Sequence, residues 1–270
     1  MNRYFPITLG ALTACAFALS VGSAPAANAT CASAFGLGNS THCTSTMTTI
    51  AIAIGNNAEA HANGALGTAV ALGNGAVADA YNWFGFSTAL GTTSFASASG
   101  NFAVALAAGW SSIAEAGAPN EPGNIAIDIG TSNVQAYGGP GNLAVNLFGN
   151  GAHVLSLGSG NVAINTGSQS QVWAFGKLSS ATNLGGYNDL ITTSSGGVAS
   201  SAFTVLGSGN IVQTGNGPLA IAGSIFQSGA VIHKSGPGFN INGVKVGGAA
   251  ATGAKHIPAK GLAGSKRTHA

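Results

Sequence analysis

Four side chains recur at one repeat interval along this chain and are of types that could do chemistry together: His61, Asp79, Ser97 and Glu115. A hydroxyl, an imidazole and two carboxylates would suit hydrolysis or metal ligation. Placed on successive strands, however, they would stand parallel in one open column. Nothing nearby offers a pocket, an oxyanion donor or a supporting shell to raise their reactivity. The expected arrangement is a solvated face on which His61 and Asp79 form at most a weak surface pair. Cys31 and Cys43 flank His42, but one His between two Cys is too few ligands for a closed zinc shell. In an exported chain the pair is expected to form a disulfide. No catalytic, metal or cofactor residue is assigned, and no cofactor is expected.

Other chemistries fit less well. The six acids are scattered, with only Glu115, Glu121 and Asp128 near one another, which argues against a sugar-cleaving carboxylate pair. The Gly-x-Gly steps lack the Gly-Lys-Ser/Thr ending of a phosphate loop and recur instead of occurring once. Ice binding would want a continuous threonine array, and Thr68, Thr88 and Thr92 do not make one. Exposed aromatics are the better candidates for contact with a protein or glycan: Tyr81, Trp83, Phe84 and Phe86 in one segment, and Trp110 and Trp173 in later ones. The competing expectation is that they cover the side of the fold. Five of the six acids precede residue 130 and seven of the eight basic residues follow residue 176. Lys255, Lys260, Lys266 and Arg267 in the tail could touch an anionic envelope polymer or nucleic acid, or simply keep the chain soluble.

The elements that position these residues follow from self-similarity. Ile52-Ala53-Ile54-Gly55, Val70-Ala71-Leu72-Gly73, Thr88-Ala89-Leu90-Gly91 and Leu106-Ala107-Ala108-Gly109 end in glycines 18 residues apart. The series continues through Gly130, Gly149 and Gly167 with steps of 21, 19 and 18, the first containing the Pro119 to Pro122 insertion. Each early unit holds a second, weaker strand, as in Ala58 to Ala62 and Val77 to Ala80. Turn chemistry such as Asn74-Gly75 and Ser99-Gly100-Asn101 marks the corners. With 43 glycines and only 5% charged residues, but regular apolar clusters, the chain reads as a repeat fold and not as a disordered one.

The expected fold is all-β: a parallel β-solenoid, or β-roll, with two short strands per coil and an approximately 18-residue repeat. Period-two alternation assigns faces. In the weaker strand, pairs such as Ala60 and Ala62 are expected inside and His61 outside. In the stronger strand, Ile52/Ile54, Val70/Leu72 and Thr88/Leu90 are expected to supply the interior bulk. Ala53, Ala71 and Ala89 would then form a flat outward row suited to homo-oligomerisation. Asn101, Asn124, Asn142, Asn161 and Asn210 are placed before strong strands, either as a buried amide ladder or as residues that merely tolerate left-handed turns.

Along the chain, residues 1–29 read as a signal peptide with an Ala27-Asn28-Ala29 cleavage signature, so that no transmembrane span is expected after cleavage. Residues 30–49 form a disulfide-closed cap, 50–176 a regular solenoid, 177–246 a less regular continuation, and 247–270 a disordered basic tail.

The phrases from Ile50 to Ala58 and from Thr68 to Ala76 resemble the head repeat of YadA-like trimeric adhesins, a left-handed parallel β-roll. The resemblance covers Thr49 to Gly109 well and Gly109 to Gly176 loosely. It implies a head that trimerises and binds host matrix. The chain departs from that family in its longer repeat unit and in lacking a heptad stalk and C-terminal membrane-anchor strands. The functional expectation is an exported, non-enzymatic, adhesin-like scaffold, secreted or at the cell surface. The alternatives are a secreted enzyme on a β-helix or an ice-binding solenoid.

Overall fold

The structure is a computed structural model that describes residues 30–247. The signal-peptide reading and the tail cations Lys255, Lys260, Lys266 and Arg267 lie outside the described residues. Among these residues the protein is all-β without a helix, a parallel β-solenoid of about 11 turns with ~18-residue spacing. Each turn contributes one strand to each of two faces. The first face begins with Ile50–Ile54, Thr68–Leu72, Phe86–Thr92 and Val104–Trp110, paired in parallel at one-turn offsets. The second begins with Cys43–Ser45, Glu59–Ala62, Val77–Ala80 and Phe95–Ala98, paired in the same way. In the middle coils a single strand, Ile125–Tyr137 or Leu143–Ser159, runs from one face through the corner to the other.

The glycine period has a steric cause. Gly55, Gly73, Gly91 and Gly109 stack on one another with φ between +118° and +148°, a region that favours glycine. A Cβ on any of them would lie 1.9–2.1 Å from the carbonyl oxygen of the glycine one coil on. The Pro119 to Pro122 insertion is a turn tied to the following coil. Glu121 Oε2 accepts from Ala118 N–H at 3.1 Å and from Gly138 N–H at 2.8 Å.

The expected faces of the weaker strand hold, but those of the stronger strand are reversed. Ala53, Ala71 and Ala89 are fully buried. Ile52, Val70, Leu72, Thr88 and Leu90 point outward and are partly exposed, and Ile54 is exposed. The reason is the width of the interior. Cys31 pairs opposite Ala53 on the first face and Cys43 opposite Ala60 on the second. A disulfide joins the two cysteines with their Cα atoms 5.9 Å apart. Facing sheets with ordinary cores stand about 10 Å apart. An interior this thin accepts two alanines and excludes a second layer of Ile, Val or Leu.

The disulfide therefore heads two interior columns. One runs Cys31, Ala53, Ala71, Ala89, Ala107 and then Asp128, Asn146, Asn165 and Asn183. The other runs Cys43, Ala60, Ala78, Ala96, Ala114 and then Val134, Val154, Val172 and Ile191. Both columns change from alanine to larger side chains in the same coil, directly after the insertion, so the interior widens along these two columns, while the neighbouring column Ala126, Ala144, Ala163 and Ala181 stays small.

Antiparallel strands close the first face at both ends: Thr30–Ala34 lies on Ile50–Ile54, and Val244–Val246 lies on Gly238–Ile241. At the wide end the interior is stoppered by Lys234, which is 4% exposed. Its Nζ donates to the carbonyls of Gly247 at 2.7 Å and Ser235 at 3.1 Å.

Two substitutions distinguish the faces. Ala71→Val overpacks the thin interior and is expected to destabilise the fold by about 1–3 kcal/mol. Val70→Ala removes outward bulk and is expected to cost less than about 1 kcal/mol. Urea unfolding of the two variants checks the order.

Candidate functional site

The column that could have done chemistry exists as a column. His61, Asp79, Ser97 and Glu115 occupy successive registers on the outer side of the second face. Their bonding is local and structural. His61 Nδ1 lies 3.0 Å from Thr44 Oγ1, and its Nε2 lies 3.7 Å from Glu59 Oε2. Ser97 Oγ pairs with Ser99 Oγ at 3.1 Å, and Glu115 accepts from Gln135 Nε2 at 2.6 Å. Asp79 separates Ser97 from His61, so the hydroxyl of the column does not meet its imidazole. Burial pushes the Asp79 carboxyl up, opposed by His61 and reinforced by Glu59. Among the described residues no group of three or more His, Cys, Asp or Glu is placed to hold a metal.

One buried titratable group, Asp128, heads a hydrogen-bond ladder inside the solenoid. Asn146 Nδ2 donates to Asp128 Oδ1 at 2.7 Å, Asn165 Nδ2 to Asn146 Oδ1 at 2.7 Å, and Asn183 Nδ2 to Asn165 Oδ1 at 3.0 Å. Every amide donates toward the N-terminal end, so the head of the ladder must be an acceptor. Asp128 meets that need, its Oδ2 also accepting from Ser132 N–H at 3.2 Å. Burial raises its carboxyl above the ordinary range, against the lowering effect of the Asn146 and backbone hydrogen bonds. A raised carboxyl contributes stability below its unfolded value, about 3.9, and that contribution is lost as pH rises through the folded value.

A second ladder crosses the corner before the first face. Asn124 Oδ1 accepts from Asn142 N–H at 2.8 Å, Asn142 Oδ1 from Asn161 N–H at 3.1 Å, and Asn161 Oδ1 from Ser179 N–H at 2.8 Å. Two of the expected members lie elsewhere. Asn101 stays at a partly exposed corner, where its Oδ1 accepts from Trp83 N–H, because Ala103 occupies its coil's place in the column. Asn210 sits in the corner before the second face and accepts from Ala230 N–H at 3.0 Å, while its own N–H donates to Asp189.

The sequence-predicted aromatics are dispersed. Trp83 is 61% and Trp110 70% exposed, and Tyr81 and Phe86 are also exposed. Phe84 is half-buried and stacks on Phe102, with ring centroids 4.9 Å apart and planes 7° apart. Both adopt left-handed backbone, at φ 54° and 56°, a conformation that costs a non-glycine residue about 1–2 kcal/mol. Phe102 was not among the sequence candidates, although it stands 18 residues from Phe84. Trp173 belongs to a different neighbourhood, on the second face. Its Nε1 donates to His153 Nδ1 at 3.1 Å, and its ring meets Phe175 at 6.2 Å and 62°. Burial lowers the basicity of His153, which keeps the ring neutral and able to accept that bond.

Two surfaces escaped the sequence reading. The first is the outer side of the first face, where Ile52, Val70, Thr88, Leu106, Ile127, Val145 and Ile164 stack in one row. The flanking rows are similarly apolar, with Ile50, Val104, Ile125 and Leu143 on one side and Ile54, Leu72, Leu90 and Ile129 on the other. No charged side chain interrupts them over these coils. The second is a cleft of about 340 Å3 near the C-terminal end of the second face, lined by Thr192, Ser194, Gln213, Asn216 and His233 among others. Thr192 stands directly next to Trp173 in the ladder.

No family model matches the chain, and neither a curated protein nor a solved structure matches it significantly.

Removing one rung tests the ladder. Asn165→Ala leaves Asn146 Oδ1 and Asn183 Nδ2 without their partner and is expected to cost about 1–3 kcal/mol. Asn165→Asp sets a carboxylate against Asn146 Oδ1 and is expected to cost more at pH 7. Its deficit relative to Asn165→Ala should shrink as the pH is lowered, because a protonated carboxyl regains a donor. Melting curves of both variants at pH 7 and pH 4.5 check the order and its pH dependence.

Proposed function

We propose that the protein is an exported, non-enzymatic, adhesin-like scaffold. Its chains associate through the aliphatic outer side of the first face and present the second face and its corners to a protein or glycan partner. The observation that carries this reading is the uncharged, largely aliphatic surface from Ile50 to Ile164, interrupted only by Thr68, Phe86, Thr88 and Ala108 over its first coils. A monomeric protein rarely leaves so large an apolar patch in water. Seven coils at ~4.8 Å, each presenting three outward residues, give a flat area of roughly 600 Å2 per chain. That approaches the ~800 Å2 per partner of a standard stable interface.

The association surface replaces the Ala53, Ala71 and Ala89 row, which lies inside. Self-association of parallel rolls also fits the resemblance to YadA-like heads. The bonding of the His61 column supports a role without catalysis, since His61, Ser97 and Glu115 are each engaged by a neighbour in the fold. Export rests on the signal-like residues 1–29 and agrees with a disulfide between Cys31 and Cys43, which persists in oxidising compartments.

Sedimentation of the purified chain without residues 1–29 tests the assembly. The wild-type chain is expected to sediment as an oligomer. Ile127→Glu, at the centre of the aliphatic face, is expected to give a monomer with an unchanged far-ultraviolet spectrum. A wild-type monomer at micromolar concentration would remove the basis for this reading.

A further inference from the structure

We infer that the outward strip Trp173, Thr192, Gln213 and His233, with the cleft beside it, binds a neutral carbohydrate chain. The inference rests on the scaffold reading and names the class of partner for one of its surfaces. The four residues are consecutive in the ladder of the second face. Their side chains therefore repeat at about 4.8 Å, close to the length of one pyranose ring in an extended glycan.

The chemistry of the strip is that of sugar recognition. The cleft of about 340 Å3 is lined by hydroxyl, amide and imidazole groups, without a carboxylate, ammonium or guanidinium. That composition disfavours an ionic ligand and offers paired donors and acceptors to sugar hydroxyls. The Gln213 amide makes no hydrogen bond among the described residues and is free to serve a ligand. Ser194 Oγ bonds to Asn216 Oδ1, which fixes the Asn216 amide and leaves its NH2 group to donate. His233 Nε2 is positioned by Ser235 Oγ at 2.8 Å.

Trp173 supplies the apolar platform. The bond from its Nε1 to His153 and the edge contact with Phe175 hold the indole in one orientation. Such preorganisation reduces the cost of binding. The exposed Trp110 stands beside Thr92 in an earlier coil, away from this cleft. A protein partner would be expected to bury a broad apolar centre within a polar rim, whereas this strip sets a single indole beside a row of hydroxyl, amide and imidazole groups.

The test uses the full chain without residues 1–29, titrated by calorimetry and tryptophan fluorescence with cellohexaose, maltohexaose, mannohexaose and N-acetylchitohexaose. At least one is expected to bind saturably. Trp173→Ala and Gln213→Ala are each expected to weaken that binding at least tenfold, and Trp110→Ala to leave it unchanged. Gln213→Ala alters only an unbonded outward amide, so it decides the matter if Trp173→Ala does not fold. Absence of saturable binding to all four sugars, or full affinity in Gln213→Ala, overturns the inference. An oligomer that binds none of them loses the sugar assignment alone. A monomer that binds one retains the assignment and loses the proposed assembly.

Discussion

The separation of the two faces governs the rest of this molecule. With the Cα atoms of Cys31 and Cys43 only 5.9 Å apart, the first coils have room inside for one small side chain from each face. Alanine fills both columns, and the bulky half of every Ile-Ala-Ile strand is displaced to the outer surface. Apolar area that an ordinary core would remove from water is thus left on a face where another molecule can cover it. The thin interior and the aliphatic exterior are two results of one constraint.

A core made of alanine methyl groups contributes little burial per residue, so cohesion has to come from repetition along the axis. Parallel backbone ladders join each coil to its neighbours. Glycines stacked at the corner let carbonyls approach where a Cβ would collide. Where the interior widens, after the insertion that precedes Asp128, polarity enters with size. Asn146, Asn165 and Asn183 fill the space opposite Val154, Val172 and Ile191, and each is tolerated because its Nδ2 donates to the preceding member of the column. Asp128 ends that chain with the acceptor its direction requires. At the far end Lys234 closes the opening with two carbonyl acceptors.

Much of this was legible in the residues, and the reversed faces have a definite cause. The 18-residue period, two strands per coil, the cysteine pair and the inward Ala60 and Ala62 follow from spacing, turn chemistry and alternation. Alternation states that Ile52 and Ala53 point to opposite sides without stating which side is inside. Assigning the larger residue to the core is sound for ordinary sheets and fails where the interior admits only a methyl group. The sequence carried one usable signal: Ala53, Ala71, Ala89 and Ala107 are followed in the same column by Asp128, Asn146 and Asn165, which rewards reading the column along the axis and not within one strand. The Trp173, Thr192, Gln213 and His233 strip was hidden for another reason, since the coils there differ in length and no fixed spacing links its members.

Thiol accessibility tests the inverted packing most directly. With the native disulfide intact, Ala71→Cys and Val70→Cys are exposed in turn to a small thiol reagent, at protein concentrations low enough to keep the chains apart. The account predicts that Cys at 70 reacts rapidly and that Cys at 71 reacts only after unfolding. Rapid reaction at 71 with protection at 70 would contradict it.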